Sequence, residues 1–365
     1  MIENQLLYFR GRVALKELLI ASGIKKDEKV AIQAYTCSAV PEGVFAANAL
    51  PIYIDIIKKG VTMCPDDLAN KLEATKDVKA IVIQHTFGIV ADLKKILKIA
   101  KNYNLIVIED CCHTFNSKFN QNKVGSFSDA SFYSFEWGKP ISLGLGGAVK
   151  VNNKKILERL ELQYKKLSDP PFITELQLFA QRIAFFVLYN PRTYWTVKSM
   201  FHFFSKYGLI KGNHTPINVH EESKDFGYKI SKILKRKLFH KLSKLDEFEL
   251  KTQSTYSQYK TLIAELDEKF MIETSNNSEP IFVRYPIWVS NKNELIHLAS
   301  LNKIEISDWY LTPVHPYTGD GLKVMGYEET SCPNAELSSK HIVSLPLTHR
   351  INEKYLKELK LILVS

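Results

Sequence analysis

Two short stretches of the sequence bring together residue types that could do chemistry. In VIEDCCHTF, the apolar run Leu105–Ile108 delivers Glu109 and Asp110 to its carboxyl end, with His113 three residues further on. A carboxylate left unpaired at the end of a buried strand is costly, so Asp110 needs a cationic or hydrogen-bonding partner, such as a protonated ring nitrogen. Aspartates at strand ends also cap helices or bind Mg²⁺, and a lone His113 fits a satisfied polar histidine as well as a ligand contact. In GSFSDASFYSFEWGKPISLGLGGAV, the run Ala130–Ser134 enters a turn holding Lys139, followed by a glycine cluster and a further strand, Ala148–Val151. A lysine fixed on a rigid, partly desolvated turn can act as a nucleophilic amine toward carbonyls. The glycines permit positive φ and close backbone approach to a ligand. GLGG precedes a strand rather than opening a helix, so it is not a dinucleotide fingerprint.

These residues need a scaffold, and the flanking pattern supplies one. Val30–Tyr35, Pro51–Asp55, Lys79–Gln84, Leu105–Asp110 and Ala130–Ser134 read as short, nearly continuous apolar strands. Arg12–Ala21, Pro41–Ala47, Pro65–Ala74 and Leu93–Tyr103 carry helical spacing between them. Such alternation predicts an α/β fold, a mainly parallel sheet sandwiched by helices. Ligands collect at the carboxyl ends of strands in such sheets, where Asp110 and Ser134 fall. Residues 153–225 break the alternation with an aromatic-rich helical stretch and a polar loop. Ile230–Leu266 reads as one or two lysine-rich helices. The remainder offers a strand (Ile281–Val289), a helix (Lys292–Leu301), a Pro/Gly loop (Thr312–Gly326) and a terminal helix from about Asn352. The expected division is a large domain, 1–230, with a helical insertion at about 165–215, and a smaller C-terminal α+β domain, 231–365.

Composition narrows the classes. The 365 residues are 45% hydrophobic and 24% charged, ordinary for a soluble globular chain. Five cysteines, an odd number without CxxC spacing, exclude a complete disulfide framework and suggest a reducing compartment; no metal spacing is seen. The net charge of +10 suits anionic partners, but the lysines are dispersed and no nucleic-acid-binding motif is present. The N-terminus does not read as a signal peptide, and the apolar run Ile183–Tyr189 is far below the ~20 residues that span a bilayer.

The stretch 171–210 stands apart, with eleven aromatic residues in forty. Phe172, Leu176, Phe179, Ile183 and Val187 share one helical face, and Thr174, Glu175, Gln177, Gln181 and Arg182 cluster on the other. A second helix is expected from Asn190 as N-cap and Pro191 to Gly208. Two roles suit such a hairpin: packing on the small domain or a dimer partner, or lying on an anionic membrane.

Taken in order, FRGRVALKELL, AYTCSAV, YIDI, HTFGIVADL, IEDCCHTF, VGSFSDASFYSFEWGKPISLGLGGAV, RYPIWV, DWYLTPVHP and SCPNAELSSKHIVSLPLTHRI resemble the DegT/StrS-type sugar aminotransferases, which have the type I aspartate-aminotransferase fold. The resemblance implies pyridoxal 5'-phosphate as cofactor, bound by Lys139 as a Schiff base, with Asp110 pairing with the ring nitrogen. It places His113 near the ring hydroxyl, Ser134 and the backbone amides of Gly11–Arg12 on the phosphate, and His315 on the substrate side. It implies a homodimer; the cysteines suit a cytoplasmic place, at the inner face of the membrane if 171–210 binds lipid. The implied reaction moves an amino group, from glutamate, onto a keto-sugar, nucleotide-linked, for cell-surface polysaccharide or a related glycan.

Three positions depart from the family pattern. The Gly-Thr step, here at position 11, has some forty residues before it in most members, so part of the active-site rim is expected to be missing. Cys37 stands where an aromatic residue often stacks on the ring, leaving Tyr35 or His113 for that place. Gly227 replaces an asparagine, leaving Lys229 to reach a partner subunit's phosphate. The related sugar dehydratases carry histidine in place of the lysine, which Lys139 argues against. A regulatory or membrane-bound protein on the same fold is disfavoured by the complete Asp110, Ser134 and Lys139 set.

Overall fold

The computed structural model describes residues 6–190, 192–207, 210, 224–274, 278–347 and 351–364. Its centre is a seven-stranded sheet in the order Leu6–Tyr8, Gly147–Val151, Ala130–Ser134, Ile106–Asp110, Val78–Gln84, Lys29–Gln33, Leu50–Ile54. The last five of these run parallel; Gly147–Val151 lies antiparallel to Ala130–Ser134, and Leu6–Tyr8 antiparallel to it in turn. All five expected strands are present, each within two residues of the predicted ends.

Alternation along the parallel strands divides the core in two. Val30, Ile32, Ala80, Val82 and Ile108 belong to one buried cluster; Ala31, Ile81, Ile83 and Val107 belong to the other. Both faces therefore need helices, and α1 (Gly11–Ala21), α2 (Ala39–Ala46), α3 (Pro65–Ala74) and α4 (Leu93–Asn102) supply them. In α4, Leu93, Ile96 and Ala100 form the buried stripe, and Asp92 caps the helix by accepting from the Lys95 N–H at 3.2 Å.

Beyond the sheet come α5 (Lys154–Lys165), then α6 (Phe172–Leu188) and α7 (Tyr194–Lys206), then α8 (Lys232–Leu242) and α9 (Leu245–Leu266). A two-stranded antiparallel sheet, Arg284–Trp288 with Ile342–Pro346, shares a buried cluster with α9, α10 (Lys292–Leu301) and α13 (Glu353–Val364). The Pro/Gly loop holds a short strand, Val314–His315, and α11 (Asp320–Val324); α12 (Pro333–His341) follows it. Val314–His315 pairs in parallel with Thr36–Cys37, tying the C-terminal part to the mouth of the large sheet.

The hairpin departs from expectation in two ways. Its second helix begins at Tyr194, because the Asn190 side chain accepts from the N–H groups of Arg192 and Thr193 and forms a turn instead of a cap. Pro191 and Gly208 lie outside the described residues. In α6 the apolar face points outward: Phe172 is 82% exposed and Val187 70%. The other face packs inward through Thr174, Leu178 and two polar anchors. Glu175 accepts from the Ser231 hydroxyl at 2.6 Å and the Lys232 N–H at 2.9 Å, capping α8, while Arg182 donates to the Leu143 carbonyl at 2.7 Å. The hairpin also docks on the C-terminal part, where Tyr189 donates to Glu305 at 2.7 Å and Trp195 to the Ile304 carbonyl at 2.9 Å. No described helix is long and apolar enough to cross a membrane.

Candidate active site

Asp110 closes the strand Ile106–Asp110 and is buried, its carboxylate accepting from the Cys112 N–H at 2.9 Å. Burial pushes its pKa above the ordinary carboxylate value, opposed by that hydrogen bond and by the charges of Lys139 and His85. Its neighbour Glu109 faces the opposite side of the strand and fixes it there. Glu109 accepts from the Gly125 N–H at 2.8 Å, the Ser128 hydroxyl at 2.7 Å and His85 Nε2 at 3.2 Å. Burial would raise Glu109, but His85 and these donors outweigh it and hold the carboxyl below its usual value. His85, Glu109 and Cys111 bring potential metal-ligand atoms within 4.8 Å of one another. Both His85 nitrogens are already engaged, Nδ1 by the Ala91 N–H and Nε2 by Glu109, so the group is a hydrogen-bonded strut behind Asp110.

Lys139 lies on the turn after Ala130–Ser134, its N–H donating to the Glu136 carbonyl, and its ammonium sits 5.4 Å from the centre of the Trp309 ring. His113 is buried with its ring parallel to Trp309, at 6.0 Å between centroids and 3° between planes. The Phe87 N–H donates to His113 Nδ1 at 2.9 Å, which leaves the proton of the neutral ring on Nε2. Burial, then the charge of Lys139, holds the His113 pKa well below the ordinary histidine value.

The third wall is the start of α1. Its first turn has no side-chain cap and no acidic residue, so the positive helix end and its backbone N–H groups are left for the cleft. A Cβ on Gly11 would lie 3.1 Å from Cβ of Ser134, so only glycine lets this helix start approach the strand end so closely. The Arg12 guanidinium is taken up by Glu42, leaving Arg12 to contribute through its backbone. Gly11, Arg12, Asp110, His113, Ser134 and Lys139 thus line one cleft with Gln84, Cys112 and Tyr310.

A second cavity of about 240 Å³ adjoins the first, sharing Cys37, Glu136, Lys139 and Tyr310 with it. His315, brought in by the strand pair with Thr36–Cys37, lines it and accepts from the Leu311 N–H at 3.3 Å. Residues 10–360 match the family model described as the DegT/DnrJ/EryC1/StrS aminotransferase family. The chain belongs to this family.

The chain is 36% identical over 149 residues to GDP-perosamine synthase of Escherichia coli O157:H7, covering 41% of this chain and 40% of that protein. It is 30% identical over 151 residues to L-glutamine:2-deoxy-scyllo-inosose aminotransferase of Streptomyces kanamyceticus, covering 41% and 35%. Each match spans about two fifths or less of the relative's length. The structure of DesV from S. venezuelae, solved in complex with a ketimine intermediate, superposes with a TM-score of 0.72 at 18% identity, over 98% of this chain and 83% of that one. NtdA from Bacillus subtilis, solved with bound PMP, superposes at 0.72 and 19% identity, over 99% and 73%. The fold is thus that of the family.

One expected residue is not brought to the cleft of this DegT/DnrJ/EryC1/StrS member, and Lys229, expected to reach a partner subunit, does not line it either. Tyr35 is fully buried behind it, its ring edge-on to Tyr310 at 5.1 Å and its hydroxyl accepting from the Tyr310 N–H. The strained φ of 63° at Tyr35 turns the chain toward Thr36, and packing takes its ring away from the cavity. Lys229 sits outside, its ammonium 5.0 Å from the Tyr164 ring centre. Sequence reasoning missed Gln84, which ends its own parallel strand beside Asp110 and hydrogen-bonds Thr36 at 2.6 Å and Thr86 at 2.7 Å. Its position at a strand's carboxyl end was the available signal. Tyr310 and Trp309 were also missed, because their place depends on the distant C-terminal segment.

Proposed function

We propose that this chain is a pyridoxal-phosphate-dependent aminotransferase that moves an amino group from glutamate onto a keto-sugar used for cell-surface or related glycan synthesis. One observation carries this reading: Asp110 and Lys139, from the ends of two adjacent parallel strands, line a single cleft closed by the uncapped start of α1. The residues fit the group. The Gly11–Ser134 approach makes a close cradle of N–H and hydroxyl donors suited to a phosphate, and the buried Asp110 suits a protonated ring nitrogen.

When bound, pyridoxal phosphate supplies an electron sink for negative charge at the substrate carbon. Lys139 Nζ is the amine placed to hold the cofactor and then to carry a proton to and from that carbon. Asp110 keeps the ring nitrogen protonated by an ion-paired hydrogen bond. His113, neutral and fixed by Phe87, offers Nε2–H as a donor without adding charge beside Lys139. Tyr310 closes the cleft on the His113 side and excludes water.

Family resemblance supports a homodimer, with Lys229 directed to a second copy's phosphate. The exposed apolar face of α6 and the basic net charge support contact with an anionic membrane. The test is spectroscopic. Purified protein with pyridoxal phosphate should show the absorbance of a lysine-linked cofactor, which glutamate converts to the amine form. Lys139→Ala should lose both, and a variant that kept full turnover would falsify the assignment.

A further inference from the structure

The hairpin lines one side of the second cavity. Phe185, Tyr189, Tyr194, Val197 and Phe201 from α6, α7 and the turn between them form one wall, and Trp137, two residues before Lys139, packs against it. Trp137 stacks on Phe185 at 4.0 Å between centroids, and Phe185 on Tyr189 at 4.6 Å. The surface beside the reactive lysine is therefore aromatic and aliphatic.

Three of its four lysine and arginine cations are paired with carboxylates, and the fourth is Lys139 itself. Lys198 pairs with Asp308 at 2.9 Å, Arg284 with Glu305 at 3.5 Å and Arg10 with Glu136 at 3.4 Å, all six residues lining the same cavity. Away from Lys139, a diphosphate placed here would compete with carboxylates for every lysine and arginine, and breaking a buried pair is costly. A neutral hydrocarbon would not. The hairpin is also apolar on its outside: Phe185 faces the cavity, while its neighbour Phe186 is 81% exposed and Val187 70%. The helix that walls the cavity thus also carries exposed apolar side chains on its outside.

We propose that this cavity is the acceptor subsite, and that the acceptor is a sugar carried on a hydrocarbon chain rather than on a nucleotide. The chain lies against Phe185, Val197 and Phe201, with the sugar carbonyl toward Lys139 Nζ. The inference rests on the aminotransferase reading for the identity of the reacting group, but the hydrocarbon contact is independent of the chemistry.

Binding of butyl, hexyl and octyl β-glucoside to the cofactor-loaded protein, followed by intrinsic tryptophan fluorescence, tests it against UDP-glucose and glucose. Affinity should rise with chain length, by up to about fourfold per methylene, and UDP-glucose should bind no better than glucose. Val197→Asp and Phe201→Asp should each weaken octyl glucoside more than tenfold while the cofactor absorbance persists as a folding control. UDP-glucose binding tighter than octyl glucoside overturns the proposal, as does an affinity that the two substitutions leave unchanged. If incubation with pyridoxal phosphate gives no lysine-linked band yet the protein still binds the glucosides by chain length, that counts against the aminotransferase reading and leaves this subsite standing.

Discussion

The backbone N–H of Phe87 donates to Nδ1 of His113 at 2.9 Å, and this one bond decides which nitrogen of the imidazole carries its proton. Burial and Lys139 push the ring's pKa well below 6.5, so His113 is neutral throughout the physiological range. Nitrogen-15 NMR should show an Nε2–H tautomer that does not titrate between about pH 5 and 8. Since the folded pKa lies below the unfolded one, the neutral ring favours folding above pH 6.5. That contribution is lost as pH falls from there toward the folded value. A normal titration near pH 6.5 would contradict the assigned bond.

Asp110→Asn keeps the shape of the strand end and removes the charge. Hydrogen bonds to charged groups contribute about 1.5–3 kcal/mol, so pyridoxal phosphate should bind roughly 10- to 100-fold more weakly. Turnover should fall further, because the ring nitrogen loses the partner that keeps it protonated. Cofactor titration by absorbance separates the two losses, and an unchanged affinity would remove Asp110 from the site.

Gly11→Ala places a methyl group 3.1 Å from Cβ of Ser134 and 3.4 Å from its hydroxyl. Overpacking of this kind costs about 1–3 kcal/mol. Chemical denaturation should show that loss, and free phosphate should protect the variant less than the parent, because the N–H cradle has been forced open. Equal protection would mean that the start of α1 does not hold phosphate.

Lys292 is buried behind the cleft and donates to the carbonyls of Tyr310 at 2.8 Å and Ser339 at 2.9 Å. Burial lowers its pKa to about 8, against 10.5 in the unfolded chain. Below pH 8 the full cost, about 3 kcal/mol, weighs against folding; it shrinks as pH rises toward 10.5. Urea unfolding of the parent and of Lys292→Met should therefore differ in pH dependence, the parent gaining relative stability from pH 8 to about 9.5. Parallel curves would show that Lys292 is not held in this state.

The sheet was legible because its strands are nearly pure apolar runs, and the ends of two of them carry Asp110 and Ser134. What escaped depended on long-range packing. α12 has the buried positions Ala335, Ser338 and Ser339, small residues that print no apolar period. The stretch Ile281–Val289 looked like a single strand, yet its first residues leave the ladder. Ile281 donates to the Ser117 hydroxyl at 2.8 Å, and the Val283 N–H reaches the Phe87 carbonyl at 3.0 Å. The two faces of α6 were correctly grouped, but which one turns inward was set by Glu175 and Arg182, whose partners lie 57 and 39 residues away. Tyr35 and His113 could not be told apart as ring neighbours, since only the C-terminal Tyr310 places one in the cleft and the other behind it.

The pairing of Val314–His315 with Thr36–Cys37 has a bearing on how the protein is made. A chain emerging from the ribosome has the strands of Asp110 and Lys139 long before it has the segment that roofs them. Until residues beyond 310 appear, Trp309 and Tyr310 cannot be held over His113, and the cleft remains a groove open to solvent. Cofactor capture is therefore expected to wait for the end of synthesis. A nascent or truncated chain that lacks this late clasp should show a folded sheet yet retain little pyridoxal phosphate.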